Sequence, residues 1–161
     1  MKPFFLSSAF VFFTLMAWAQ APSKLPNFSI TDIQGKSFSN ANLPKGKYLL
    51  FIYFNPSCPH CQNAFKTLNS NIENLPNNLQ IYSISYKGVG PTQKFMVKYA
   101  PELFQLANVT SLLELDDSFG AVFNVQRFPS IYLFDPYGKL VNFEEDASKV
   151  MNFKEKMVSQ K

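Results

Sequence analysis

Tyr48-Leu49-Leu50-Phe51-Ile52-Tyr53-Phe54, then Asn55-Pro56-Ser57, then Cys58-Pro59-His60-Cys61-Gln62-Asn63-Ala64-Phe65-Lys66-Thr67-Leu68, is the stretch that decides the fold. The first seven residues are an unbroken apolar run. That pattern predicts a strand covered on both faces. From about residue 58, Ala64, Phe65, Leu68 and Ile72 recur near helical spacing, which predicts a helix, with Pro76 as its stop. The only two cysteines of the chain therefore stand where a buried strand hands over to a helix. A Cys-x-x-Cys at such a junction is a redox signature. A helix start directs free N–H groups and partial positive charge at the first sulfur. The Cys58 pKa is expected to fall below the ~8.5 of a free thiol. A protonated or donating His60 would stabilise the thiolate further, and Pro59 suits a first helical turn, where its missing N–H costs nothing.

Other uses of the pair fit less well. A structural zinc site takes four ligands, and the chain has two cysteines and one histidine. A structural disulfide across two intervening residues closes so small a loop that it restrains the unfolded chain little. No metal is expected.

Outward from this centre, Leu79 to Ser85 reads as a second strand, which completes a right-handed βαβ unit. Upstream, Asn27–Ile30 and Lys36–Ser39 flank Asp32-Ile33-Gln34-Gly35, a turn, and predict a hairpin. Downstream, Gly88-Val89-Gly90 is a loop and Pro91 opens a helix to about Tyr99. The glycines lack the strand–GxGxxG–helix spacing of a phosphate cradle. Phe104–Ala107 is a candidate short strand. Asp116 or Asp117 can cap a short helix ending near Phe123. Ser130–Phe134 is a strand, Asp135-Pro136-Tyr137-Gly138 a turn, and 139–144 its antiparallel return. Asp146 is expected to cap a last helix, along which Val150, Phe153 and Met157 repeat.

The N-terminus reads differently. Lys2 precedes an apolar run from Phe4 to Met16, too short to span a bilayer as a settled helix. Ala17-Trp18-Ala19 then offers a small-x-small cleavage site. Residues 1–19 are expected to be a signal peptide, 20–24 a tether and 25–161 a single domain. An uncleaved anchor is the rival reading. Export would bring the cysteines into an oxidising compartment, the periplasm in a bacterium. The net charge of +4 at pH 7 is mild, and Lys45-Gly46-Lys47 and Lys154-Glu155-Lys156 read as solvated surface rather than phosphate contacts. No nucleic-acid partner is expected.

The element order, the Cys-x-x-Cys at the first helix and the proline before a late strand resemble the thioredoxin fold over about residues 25–161. The chain is most similar to exported TlpA/ResA-type thiol-disulfide oxidoreductases of the redoxin/AhpC-TSA superfamily. Pro26-Asn27-Phe28 with the hairpin resembles that group's N-terminal extension, and 88–108 its helical insertion. Val125-Gln126-Arg127-Phe128-Pro129-Ser130 with Phe134-Asp135-Pro136-Tyr137-Gly138 resembles its proline loop and turn. The resemblance implies an α/β fold of three layers, a central mixed sheet flanked by helices. It implies a cis Phe128–Pro129 peptide beside Cys58, with the backbone at Phe128 contacting substrate. It implies Cys58 as the attacking thiolate, Cys61 as the resolving one, and Pro59 and His60 as tuning residues. No cofactor is implied beyond the Cys58–Cys61 disulfide itself. The implied partners are protein disulfides or dithiols and a membrane redox partner, met by a monomer.

Three departures from the group's pattern stand out. Phe54-Asn55-Pro56-Ser57 replaces a tryptophan-rich lead-in. Ile52 stands where thioredoxins keep a buried acid, so no side-chain base for Cys61 is available there. Pro59-His60 resembles the dipeptide of the oxidising DsbA class, which leaves the direction of electron flow open. Potentials in this fold run from about −270 to −120 mV, and His60 argues for the less reducing part. Two rival functions remain. A peroxiredoxin-like peroxidase would want a threonine three residues before the reactive cysteine, where Asn55 stands. A Cu(I)-binding module could use two thiolates and His60.

Overall fold

The computed structural model describes residues 21–159. The segment read as a signal peptide lies outside them. Seven strands form one mixed sheet: β1 (Ser29–Asp32), β2 (Ser37–Ser39), β3 (Tyr48–Phe54), β4 (Leu79–Ser85), β5 (Val109–Leu113), β6 (Ser130–Phe134) and β7 (Leu140–Glu144). Their order across the sheet is β2-β1-β5-β4-β3-β6-β7. β3, β4 and β5 run parallel. β6 joins β3 antiparallel, and β7 and the β1–β2 hairpin extend the two sides antiparallel. Four helices cover the faces: α1 (Pro59–Asn69), α2 (Val89–Tyr99), α3 (Ser118–Phe123) and α4 (Phe153–Val158).

Side chains alternate across a strand, and β3 divides accordingly. Leu50, Ile52 and Phe54 enter a core with Cys61, Phe65, Leu68, Phe95, Phe153 and Met157 from α1, α2 and α4. Leu49, Phe51 and Tyr53 enter a second core with Phe28, Tyr82, Phe119, Phe123, Tyr132 and Phe134. The double coverage predicted from the apolar run is present.

Three local expectations are corrected. α1 ends at Asn69, well before Pro76. There the Asn69 Oδ1 turns outward and accepts the N–H groups of Glu102 and Leu103 at 2.9 and 3.0 Å, and Asn71 donates to the Thr67 carbonyl at 2.8 Å. Such side chains compete with helix continuation. The candidate strand at 104–107 is instead a 3-10 turn over Leu103–Gln105, held by that Asn69 cap, and the strand starts at Val109. The last helix is split: Asp146 caps a 3-10 turn at Ala147–Lys149, and α4 begins only at Phe153. Val150, Phe153 and Met157 are nonetheless all buried. Where the expected tether meets the domain, Lys24 bridges Lys139, Leu25 N–H donates to the Gly138 carbonyl at 2.8 Å and Leu140 N–H to that of Ser23 at 3.0 Å. Backbone groups at the turn before edge strand β7 thereby find partners.

At the short helix α3, Asp117 holds the N-cap position in a left-handed conformation (φ 58°) without a side-chain cap bond. Its neighbour Asp116 accepts from the Ser118 amide and hydroxyl at 3.2 and 2.7 Å.

Candidate functional site

The parallel strands fix where the site lies. Phe54 pairs with Ser85, Ser85 with Leu113, and Tyr53 with Ser130. The chain segments after β3, β4 and β5 and the loop before β6 therefore rise from one edge of the sheet. That edge gathers Cys58, Tyr86-Lys87, Glu114-Leu115 and Phe128-Pro129.

Cys58 is the N-cap of α1 (φ −84°, ψ 120°), with Pro59 in the first turn. Its amide donates to the Asn55 carbonyl at 2.9 Å, and its carbonyl accepts from the Gln62 amide at 3.1 Å. Asn55 Oδ1 accepts the Ser57 amide at 3.0 Å, so Asn55 shapes the turn that delivers the cysteine. The Cys58 sulfur is half-buried and makes no capping bond. It points at the Phe128 carbonyl oxygen, 3.7 Å away. The Phe128–Pro129 peptide is cis. Ser130 Oγ donates to the Arg127 carbonyl at 2.8 Å and closes that loop from inside.

Cys61, three residues on, has no exposed surface. Burial pushes its thiol up to about 12; the adjacent Cys58 thiol adds to the rise, while the Asn55 backbone amide opposes it. The two sulfurs thus differ in access: one meets solvent, the other lies in the core under it. Ile52 is buried in that same core.

His60 is exposed. Asp146 lies within its electrostatic reach. The Asp146 carboxyl is held below its usual range by the hydroxyl and amide of Ser148, then by Lys149 and His60. Among the described residues no three His, Cys, Asp or Glu side chains converge as a metal-binding set.

The structure brings in three residues that the sequence argument did not single out. Tyr53 is buried beside Phe128, with ring centroids 5.7 Å apart and planes 17° apart. Tyr86 lies over the same Phe128 ring at 5.6 Å. Glu114 has no exposed surface, accepts the Tyr53 hydroxyl, and takes the Gly120 amide at 2.6 Å on its other oxygen. Burial, followed by the bond to Glu114, raises the Tyr53 phenol far above its usual value. The period-two alternation of β3 could have placed Tyr53 opposite the cysteine side. Nothing local marks Glu114, which follows the apolar pair Leu112-Leu113 and precedes an exposed Leu115.

The AhpC/TSA family model matches residues 22–143. The chain belongs to the AhpC/TSA family. Solved structures share the thioredoxin-like fold. The thioredoxin domain of a thiol-disulfide oxidoreductase from Bacteroides vulgatus aligns with a TM-score of 0.69 and 24% identity, covering 86% of this chain and 98% of that one. A secreted disulfide oxidoreductase from Mycobacterium tuberculosis, described as homologous to E. coli DsbE, aligns with a TM-score of 0.65 and 23% identity, covering 82% and 95%. A thiol-disulfide oxidoreductase from Bacteroides fragilis gives 0.67 and 19%, covering 84% and 98%. The search of curated proteins found no match. This AhpC/TSA chain therefore carries its dithiol on the fold its sequence predicted.

Proposed function

We propose that this AhpC/TSA-family protein is a thiol-disulfide oxidoreductase that exchanges disulfides with protein substrates through Cys58 and Cys61 and needs no bound cofactor. The observation that carries the reading is the asymmetry of the pair. A partly accessible sulfur caps a helix, and a fully buried one waits a turn below it.

The Cys58 thiolate attacks one sulfur of a substrate disulfide. The substrate S–S bond breaks, its other sulfur leaves as a thiolate and takes a proton from solvent, and a Cys58–substrate mixed disulfide forms. Cys61 then loses its proton and attacks the Cys58 sulfur. The mixed disulfide breaks, the second substrate thiol departs, and a Cys58–Cys61 disulfide remains. Two electrons pass from protein to substrate; the reverse sequence oxidises a substrate dithiol. Burial keeps Cys61 protonated at neutral pH, so it stays inactive until a mixed disulfide supplies a sulfur to attack. The proline loop offers backbone beside Cys58 to an extended substrate segment. His60, two residues from the attacking sulfur, is the residue of the dipeptide placed to tune the exchange equilibrium.

The basic, apolar and small-residue pattern of residues 2–19 supports export, with action outside the cytoplasm and a membrane thiol carrier as redox partner. Among the described residues no helix is long and apolar enough to cross a membrane.

The test is exchange of the reduced protein with a peptide disulfide. Cys58→Ser is expected to abolish it, and Cys61→Ser to accumulate a mixed disulfide visible by mass spectrometry. Exchange that survives in Cys58→Ser, or peroxide consumption without any exchange, overturns the reading.

A further inference from the structure

Beside the Cys58 sulfur lies a run of near-parallel rings. Phe119 and Tyr53 stack at 5.9 Å with planes 2° apart. Tyr53 continues to Phe128 at 5.7 Å and 17°, and to Tyr86 at 6.4 Å and 12°. Tyr86 and Phe128 lie 5.6 Å and 24° apart. Phe119 and Tyr53 are buried, whereas Tyr86 and Phe128 are only half-buried. The run therefore begins in the core and ends at the rim of the site, where Tyr86 and Phe128 keep part of their surface exposed. Exposed apolar side chains follow the same strand ends: Leu115 at 71% just after β5, and Val89 at 40% at the start of α2.

The base of the run is fixed. Tyr53 donates its hydroxyl to Glu114, and Glu114 is anchored on the Gly120 amide. A Cβ at Gly120 would come within 3.5 Å of the Glu114 carboxylate and 3.6 Å of the Tyr53 hydroxyl, so the pair is closely packed there. At the open end the Lys87 ammonium sits 4.5 Å from the Tyr86 ring centroid and forms no ion pair among the described residues. The run is continuous with the reacting sulfur, because Phe128 supplies both a ring of the ledge and the carbonyl that faces Cys58.

We propose that the Tyr86–Phe128 ledge is a specificity subsite that takes an aromatic side chain flanking the reacting cysteine of a protein substrate. The proposal rests on the exchange function described above and names its substrate class. A further ring prolongs the existing parallel arrangement and gains the aromatic pairing energy in addition to burial. An aliphatic chain gains burial alone. The added preference corresponds to roughly two- to tenfold. The ledge is pre-formed by the Tyr53–Glu114 bond, so little ordering opposes docking.

The test compares three peptide disulfides that differ only in the residues flanking cysteine: phenylalanine, leucine or serine. The wild-type reduced protein is expected to exchange them with second-order rate constants falling in that order, phenylalanine about tenfold above serine. In Tyr86→Ala the phenylalanine-to-serine ratio is expected to fall to about twofold, and in Tyr86→Phe to persist. Folding of both variants is checked by circular dichroism and denaturant midpoint. Equal wild-type rates on all three peptides overturn the subsite while leaving the exchange function standing. A ratio unchanged in Tyr86→Ala also overturns it. No exchange with any peptide overturns both readings.

Discussion

One sheet separates two cores of different character. The face under α1, α2 and α4 mixes aliphatic side chains with Phe54, Phe65 and Phe95 and holds the Cys61 thiol. The other face is mostly rings: Phe28, Phe51, Tyr53, Tyr82, Phe119, Phe123, Tyr132 and Phe134. Phe51 alone meets Phe28, Tyr82, Phe119, Phe123 and Phe134 within 6.0 Å. The first face keeps a thiol dry. The second carries a rigid ring array up to the rim. Phe128 packs against both, which is why the two chemistries meet at Cys58. The division arises in a single strand, since successive residues of β3 supply opposite faces.

Truncation of one ring on each face sharpens the comparison most. Phe65→Ala and Phe123→Ala are each expected to cost about 3–5 kcal/mol in a urea titration. Their effects on the thiol should differ. Phe65 lies in the core that buries Cys61, so its loss should admit water and lower the Cys61 pKa, followed by pH-dependent alkylation of Cys61 in a Cys58→Ser background. Phe123→Ala should leave that titration in place. Equal shifts in both variants would show that the faces are not independent.

The pH dependence of stability tests the dry face alone. Burial in the folded protein pushes the Cys61 thiol up to about 12, against 9.0 for a thiol open to water, as in the unfolded chain. Because the folded value is the higher, the stability it reflects is complete below pH about 9 and disappears as pH rises toward about 12. The reduced protein should therefore lose stability relative to the disulfide form across that window, at up to about 1.4 kcal/mol per pH unit. Parallel denaturation curves of the two redox forms from neutral to alkaline pH measure the difference; a constant gap contradicts the burial argument.

On the ring face, Glu114→Ala leaves the Tyr53 hydroxyl and the Gly120 amide without their partner. A loss of about 1–3 kcal/mol is expected in chemical denaturation. It should come with altered near-ultraviolet circular dichroism from the ring array, whereas the Cys61 titration stays unchanged. The smallest effect belongs to His60 at the rim. His60→Ala is expected to lower the reduction potential by about 30 mV, equivalent to a tenfold change in the exchange constant, read against a glutathione buffer. An unchanged potential would make His60 a bystander.

Much of this was legible in the sequence because it depends on local periodicity. The apolar run at 48–54 defined a doubly covered strand, and Cys-x-x-Cys with Pro59 at a helix start located the dithiol. Boundaries failed where side chains made distant bonds. Asn69 ends α1 by capping residues more than thirty positions away, and a single-sequence pattern cannot register that. The same holds at the site. Sequence could say that Ile52 offers no base. It could not say that Glu114 would be buried on the opposite face, joined to Tyr53 sixty-one residues away.

The sequence by itself determined the alternation that gives β3 two buried faces, the dithiol at its end and the turns that return the chain. Those features follow from steric and hydrophobic rules acting over a few residues. Only the tertiary structure decided what gathers behind the proline loop: Tyr86 and Glu114 meet Tyr53, and Tyr86 meets Phe128, through the register of β3, β4, β5 and β6. Strand order and register are set by the packing of the whole sheet, and that free energy belongs to no single segment of the chain.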